Sequence, residues 1–507
     1  MRNDTFFNKG TSLSATSFGK KQVVKALGID FGSSKTCVVG ILEKSISVPG
    51  ENKPVIFTNN AETTYNTAIA KDKNDGLHFF DQAYILPPAR TACIYDNLKE
   101  DVSRQRHLEW VENFFRELSD KLENSKFDDY VQYDFSQLEC ICFGHPAYYI
   151  PTSIEEYTEQ IKKIIGKTIG RRLSEDKIIA LPEPILAAYA FNHANCKSEK
   201  YVSAIEDNDN ILILDFGGHT LDIAVATAKK DSAGITLTPH YGSGSISAVL
   251  PMGKTITGYL CQEIYDEDDT VFDPAVEDAK CQFFSHPIDN NRGESHTLGR
   301  LHKNPQIKEF TLCYNEMGEY MEGNTVHVGL ASGKHSIKLE TMFERFINHI
   351  KGYINDEKAG IEAKSIKHVL FTGGTSKIEP LRGKIINGIK STVAKDRLSV
   401  MVMDIPFPSA SQDVILRSDN RLPVALSSSS AVALGAALAA SGAVGFKSSF
   451  QRKRAGLSEG EKSQYDQLKR DFTTTKMLLL DTKKQLDKAL RIIDKYPQAK
   501  AEYMRKK

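Results

Sequence analysis

No stretch of the chain approaches the ~18–20 consecutive apolar residues that a bilayer-spanning helix requires, and the apolar core of a secretory signal is missing near its start. Net charge is missing as well, because 65 Lys and Arg balance 65 Asp and Glu. A whole-protein basic field of the kind that holds nucleic acid is thereby excluded. Cysteine is sparse and scattered, eight in 507 residues with no C-x-x-C pair. Cys142 with His145, and His193 with Cys196, have ligand-like spacing, but neither has a second pair at a zinc interval. Neither a structural metal nor a disulfide framework is expected. Cys140-Ile-Cys142 lies in an apolar, strand-like run, which suits buried reduced thiols in a cytoplasmic protein. Residues 1–25 are rich in Ser, Thr and Lys; the composition is compatible with a mitochondrial presequence, and the reading adopted is a disordered, solvated tail.

What is present is an ordinary globular composition, 40% hydrophobic and 26% charged. At 507 residues the chain exceeds one hydrophobic core, and domains of about 100–200 residues imply two to four. Ala26 to Phe31 reads as a strand running into a glycine turn, and Thr36 to Leu42 as the returning strand. The same pattern recurs about 185 residues later, in Asn210–Gly218 followed by Leu221–Thr227. A duplication of this period predicts two related lobes rather than a solenoid. Further strands are expected at Leu138–Phe143, Lys177–Leu181 and His368–Thr372. Helices are expected at Arg104–Glu123, Ile154–Ile169, Pro184–Phe191, Ile337–Ile354, Glu379–Val393 and Ser430–Ser441. After Phe446 Lys and Arg outnumber Asp and Glu about two to one, and Tyr465, Leu468, Phe472, Thr475, Leu479, Thr482, Leu486, Ala489 and Ile493 alternate by three and four. Residues 446–507 therefore read as a basic amphipathic helical tail for a protein partner or for self-pairing.

The chemistry lies in the turns. In Gly28-Ile-Asp30-Phe-Gly32-Ser33-Ser34-Lys35, glycine and hydroxyl residues offer backbone and side-chain donors to an anion. Asp30 would repel bare phosphate; a hydrated Mg²⁺ between them resolves this, since that ion keeps waters and prefers carboxylate oxygen. Asp215-Phe-Gly217-Gly218-His219-Thr220-Leu-Asp222 repeats these elements. Two such clamps facing each other would hold a polyphosphate. A third element, Phe371-Thr-Gly373-Gly374-Thr-Ser-Lys377, ends a strand in a glycine pair against which a base or ribose can lie.

Together these motifs resemble the actin, sugar-kinase and heat-shock-chaperone ATPase superfamily, most closely the heat shock protein 70 family. The resemblance spans about Ala26 to Ser441, with every motif in the family's order. Its Val-Pro-Ala-Tyr-Phe is matched by His145-Pro-Ala-Tyr-Tyr149, its Asn-Glu-Pro-Thr-Ala-Ala-Ala by Pro182–Ala188, and its Ala-Val-Ala-Tyr-Gly-Ala-Ala by Ala431–Ala437. The implied fold is α/β and actin-like. Two ribonuclease-H-like lobes, 26–204 (with 424–445 returning to it) and 205–423, would enclose an ATP/ADP cleft. The resemblance implies that Asp30 and Asp215 hold Mg²⁺ through water, and that Gly32, Ser33, Ser34, Lys35, Gly217, Gly218, His219 and Thr220 clamp phosphates. It assigns Glu183 to positioning the attacking water. It gives Glu277, Lys280, Gly373, Gly374 and Lys377 to the nucleoside. The family's catalytic lysine has its nearest match in Tyr95-Asp-Asn-Leu-Lys99, off by one residue, with a solvated surface lysine as the alternative for Lys99.

The chain departs from the family in three places. Cys281 and Lys377 replace two arginines that stack on adenine, and neither stacks as a guanidinium does. Ile154 stands where a relay arginine follows Pro146 at eight residues. A peptide-binding β-sandwich of ~100 residues is not expected in the helical stretch that follows the last motif. The functional expectation is a Mg-dependent ATPase acting as a chaperone-like switch. The other classes are an actin-like filament protein, a pseudo-ATPase interaction module and a small-molecule kinase of the same fold.

Overall fold

The central strands are apolar on both faces, as buried parallel strands between helical layers require. Cys140-Ile-Cys-Phe-Gly-His145 is buried at every position, and so is Ile211–Phe216. The computed structural model describes residues 21–43, 53–57, most of 64–146 and of 154–240, parts of 246–402, and 430–442. The tail expected over 446–507, His219 and Cys281 lie outside the described residues.

Two sheets share one five-strand path. In the first, β1 (Lys21–Phe31), β2 (Lys35–Leu42) and β3 (Lys53–Ile56) form an antiparallel meander. β4 (Cys140–His145) adds in parallel on the other side of β1, and β5 (Ile178–Pro182) in parallel on β4. In the second, β6 (Asn210–Phe216), β7 (Leu221–Asp231) and β8 (Gly234–Pro239) form the meander. β9 (Ile366–Thr372) and β10 (Ser399–Val402) add in parallel beyond β6. The orders are thus β5-β4-β1-β2-β3 and β10-β9-β6-β7-β8, with short strands joining at the margins.

The helices repeat too. α1 (Leu98–Ser103) and α2 (Leu108–Glu123) precede β4, α3 (Ile154–Lys167) links β4 to β5, and α4 (Glu183–Ala194) follows β5. α5 (Gly253–Tyr265) and α6 (Glu340–Ile354) precede β9, α7 (Glu379–Ile389) links β9 to β10, and α8 (Ala431–Ala440) follows β10. Parallel neighbours demand such crossovers. α3 shows why these segments become helices: Tyr157, Thr158, Ile161, Ile164 and Ile165 fall at intervals that build one buried stripe.

Each sheet is packed by the other's last helix. α8 lies on β1, β2 and β4, α4 lies on β6, β7 and β8, and the two helices lie on each other. The resulting core joins Val39 and Ile41 to Phe191, Ile213, Leu370 and Leu434. This arrangement depends on absent side chains. A Cβ on Gly435 would stand 1.9 Å from the Leu186 carbonyl oxygen, and one on Gly28 would stand 2.1 Å from that of Ala433. Only glycine permits these approaches.

The chain is therefore α/β, as expected. Several boundaries differ from the expectation. β1 begins at Lys21 rather than Ala26, because its first residues pair with Val131–Asp134 and bury Val24. The helix expected from Ile337 starts at Glu340, since Gly333–Lys338 is the last strand of a four-stranded antiparallel sheet. That sheet lies between β8 and β9 in sequence, and a three-stranded one (Ile69–Asp72, Leu77–Phe79, Thr91–Tyr95) lies between β3 and β4. Contacts divide the chain into Met1–Gly445, which holds both sheets, and Phe446–Lys507. Among the described residues no helix is long and apolar enough to cross a membrane.

Candidate functional site

The β1–β2 and β6–β7 turns occupy corresponding places in the two sheets and face each other. A Cβ on Gly218 would stand 3.1 Å from Ser34 Oγ. The first turn is tight: a Cβ on Gly32 would meet the Lys35 carbonyl oxygen at 2.2 Å. It is held from behind, where Thr67 N–H donates to the Ser34 carbonyl at 2.9 Å and the Thr36 and Thr67 hydroxyls pair at 2.9 Å. The second turn is closed by Gly217 N–H donating to the Thr220 carbonyl at 2.9 Å.

Strand register sets the acids. Asp30 is opposite Cys37 on β2, and Asp215 is opposite Asp222 on β7. Two carboxylates directly across a ladder repel, and these are 3% and 0% exposed. Thr220 Oγ1 donates to Asp222 Oδ2 at 2.5 Å and so stabilises one of them. Glu183 is the first residue of α4, brought to the site by the parallel β4–β5 pair. Lys99 on α1 is no solvated surface lysine: it is 3% exposed, and its Nζ donates to Glu183 Oε1 at 2.7 Å.

The field is strongly negative. Burial, followed by the charge of Glu183, pushes Asp30 up to about 7, with Lys99 opposing. Burial, then Glu183, Asp222 and Asp30, drive Asp215 well above the usual carboxylate range. The opposed pair Cys37 is also raised, by burial and then by Asp30. Three buried hydroxyls around these acids, Ser33 Oγ, Ser34 Oγ and Thr372 Oγ1, have no hydrogen-bond partner among the described residues. Such atoms are rare in folded proteins.

The third glycine element is built onto the second turn. Gly373 has φ +83°, and a Cβ there would strike the Phe216 carbonyl oxygen at 2.3 Å and Asp215 Oδ1 at 2.6 Å. Thr375 Oγ1 donates to the Gly217 carbonyl at 3.2 Å, Ser376 Oγ to that of Gly373 at 2.7 Å, and Arg382 Nη1 to that of Ser376 at 2.5 Å. Gly374 is exposed with open space at its Cβ position. Glu277 is buried, takes a hydrogen bond from Lys280 Nζ at 2.8 Å, and is also bonded by the Thr257 hydroxyl. Burial alone would raise Glu277, but the Lys280 charge and hydrogen bond, Thr257 and the charge of Lys35 outweigh it and hold the carboxyl low. Lys35 of the first turn thus lies within electrostatic reach of Glu277.

The structure brings together Asp30, Ser33, Ser34, Lys99, Glu183, Asp215, Gly217, Gly218, Thr220 and Gly373, with Glu277 and Lys280 linked through Lys35. Lys377 lies in the turn after Gly373, and its side chain and His219 are outside what is described. Sequence reasoning gave no role to Asp222, Thr372 or His145. Hairpin register could have found Asp222, because it lies seven positions after Asp215 as Cys37 lies seven positions after Asp30. Among the described residues no three His, Cys, Asp or Glu side chains converge to ligate a metal ion directly. The acids suit a cation that keeps its water shell. No protein-family model matches the chain, and no curated protein matches it.

Proposed function

We propose that the chain binds ATP with Mg²⁺ and hydrolyses it, on the actin-like plan of two ribonuclease-H-like lobes, and that it is a divergent relative of the heat shock protein 70 nucleotide-binding part. The observation that carries this reading is the duplication: two sheets of one topology present facing polar turns, each preceded by a buried or half-buried aspartate, Asp30 or Asp215. One such turn is common; a symmetric facing pair favours a ligand with several anionic groups.

The residues fit a hydrated Mg²⁺. Asp30 and Asp215 would hold its waters, and the ion would supply the positive charge that lets both ionise beside Glu183 and Asp222. The hydroxyls of Ser33, Ser34 and Thr372, unpaired among the described residues, have protons to give to phosphate oxygens. Gly217 and Gly218 expose backbone, and Lys35 adds a cation at the turn. Glu183, bonded by Lys99, would orient a water for attack, which this chemistry needs more than strong basicity. Glu277, Lys280, Gly373, Gly374 and Lys377 are the groups proposed for the nucleoside. The basic stripe of 446–507 is proposed as a docking element for a protein partner, supported by sequence alone, and the cell compartment as cytoplasmic.

Phosphate release in single-component turnover tests the reading. Slow, Mg-dependent release is expected, falling about 100-fold in Asp30→Asn or Asp215→Asn, the scale of removing one electrostatic stabiliser. Release that is unchanged in both variants refutes it.

A further inference from the structure

We propose that His145 is a positioning residue for the Lys99–Glu183 pair; its effect on turnover rests on the nucleotide reading above, whereas its geometry does not. His145 ends β4 and stands across from Pro182 in the parallel register, one residue before Glu183. The ring is buried, and Nδ1 lies 2.8 Å from the Pro146 carbonyl oxygen. A carbonyl only accepts, so Nδ1 carries the proton and Nε2 of the neutral ring carries the lone pair. One residue earlier the strand touches the acid itself, since a Cβ on Gly144 would stand 3.1 Å from Glu183 Cγ. The imidazole thus fixes the carbonyl at which the chain leaves β4, immediately beside the first turn of α4.

Charged groups reach His145 from three helices: Glu183 on α4, Lys99 on α1 and Glu155 in the first turn of α3. Burial is the largest influence and holds the ring neutral, below the usual imidazole range; Glu183 and Glu155 favour its charged form and Lys99 opposes it. A proton on the ring would place a second cation beside Glu183 in competition with Lys99. The pair is set for work while His145 is neutral and is disturbed when it is charged. Valine, which stands at this place in the motif the chain resembles, can neither hold the carbonyl nor take the proton.

Ring resonances of the labelled full chain test the contact, with His145 assigned by its loss in His145→Asn. The expected result is an Nδ1-protonated neutral ring that titrates below its ordinary ~6.5. Its midpoint should fall further in Glu183→Gln and rise in Lys99→Met. In turnover, His145→Val should lower kcat about tenfold, the scale on which outer-shell partners act, with KM for MgATP unchanged. His145→Asn, whose amide can donate to the same carbonyl, should recover most of kcat and lose the wild type's decline at acid pH. A midpoint unmoved by Glu183→Gln, or a His145→Val enzyme with wild-type kcat and pH profile, overturns the proposal. A wild type that shows the coupled titration yet binds no MgATP overturns the nucleotide reading and leaves the positioning contact standing.

Discussion

Replacing Gly435 by alanine adds one methyl group where the structure has least room. The new Cβ would lie 1.9 Å from the Leu186 carbonyl oxygen, 2.5 Å from its carbon and 2.9 Å from its Cα. All three are backbone atoms of α4, so no side chain can swing aside. An ordinary carbon–oxygen contact needs ~3.4 Å or more, so α4 and α8 must separate by over an ångström at their crossing. Overpacking of this kind costs about 1–3 kcal/mol and sometimes more, while alanine returns ~1 kcal/mol of helix propensity. Contacts this short place the cost at the upper end, leaving a net loss of about 2 kcal/mol. Gly383→Ala is the matched control: that glycine is exposed within α7 with nothing near its Cβ position, so propensity alone acts and stability should rise by ~0.5–1 kcal/mol. Thermal unfolding followed by circular dichroism reads both. A Gly435→Ala protein as stable as Gly383→Ala would refute the packing of α8 against α4.

Lys99→Met should destabilise the fold by about 3–5 kcal/mol in denaturant unfolding, because it leaves Glu183 buried without its partner; adding Glu183→Gln should recover part of that loss. Asp30 gives a pH dependence. Its folded-state pKa is raised to about 7, so in Mg-free buffer the stability it withholds is regained as pH falls from about 7 to the ordinary ~4 of a free carboxylate, and Asp30→Asn should remove that rise in thermal midpoint. At the far end of the second sheet, Asp209 accepts from Lys367 Nζ at 2.6 Å and His368 Nε2 at 2.8 Å. Asp209→Ala should therefore cost ~3 kcal/mol without changing MgATP affinity in calorimetry.

The sequence made the hairpins legible because each is local: strand, glycine turn and strand lie within 22 residues. β1, β2, β6 and β7 all form over the apolar runs and turn residues that marked them, although β1 begins five residues earlier and β7 ends four residues later than expected. The small-residue helix α8 was equally plain, and the close approaches at Gly435 and Gly28 show what its small side chains allow. Long-range pairing was not legible. β3 and β8, the strands that complete each meander, carry only short apolar patterns. The antiparallel strands between β8 and β9 alternate too briefly to stand out from loops, which is why Ile337 and Lys338, the end of the strand Gly333–Lys338, were read into the following helix. At the site, the acids could be listed but not their company. Nothing local to Tyr95–Lys99 says that α1 will bring Lys99 to Glu183, 84 positions away. His145 is the clearest case: its spacing from Cys142 was read as carrying no metal site and left it without a role, whereas the structure gives it a backbone carbonyl and the charges of three helices.

Calorimetric titration with ATP, in the presence and absence of Mg²⁺, tests the central claim most directly. The account predicts Mg-dependent binding in the wild type that is lost when Asp30 and Asp215 are both replaced by asparagine in a folded protein. Absence of binding to the wild type at millimolar ATP with Mg²⁺, or binding that survives the double replacement unchanged, would contradict it.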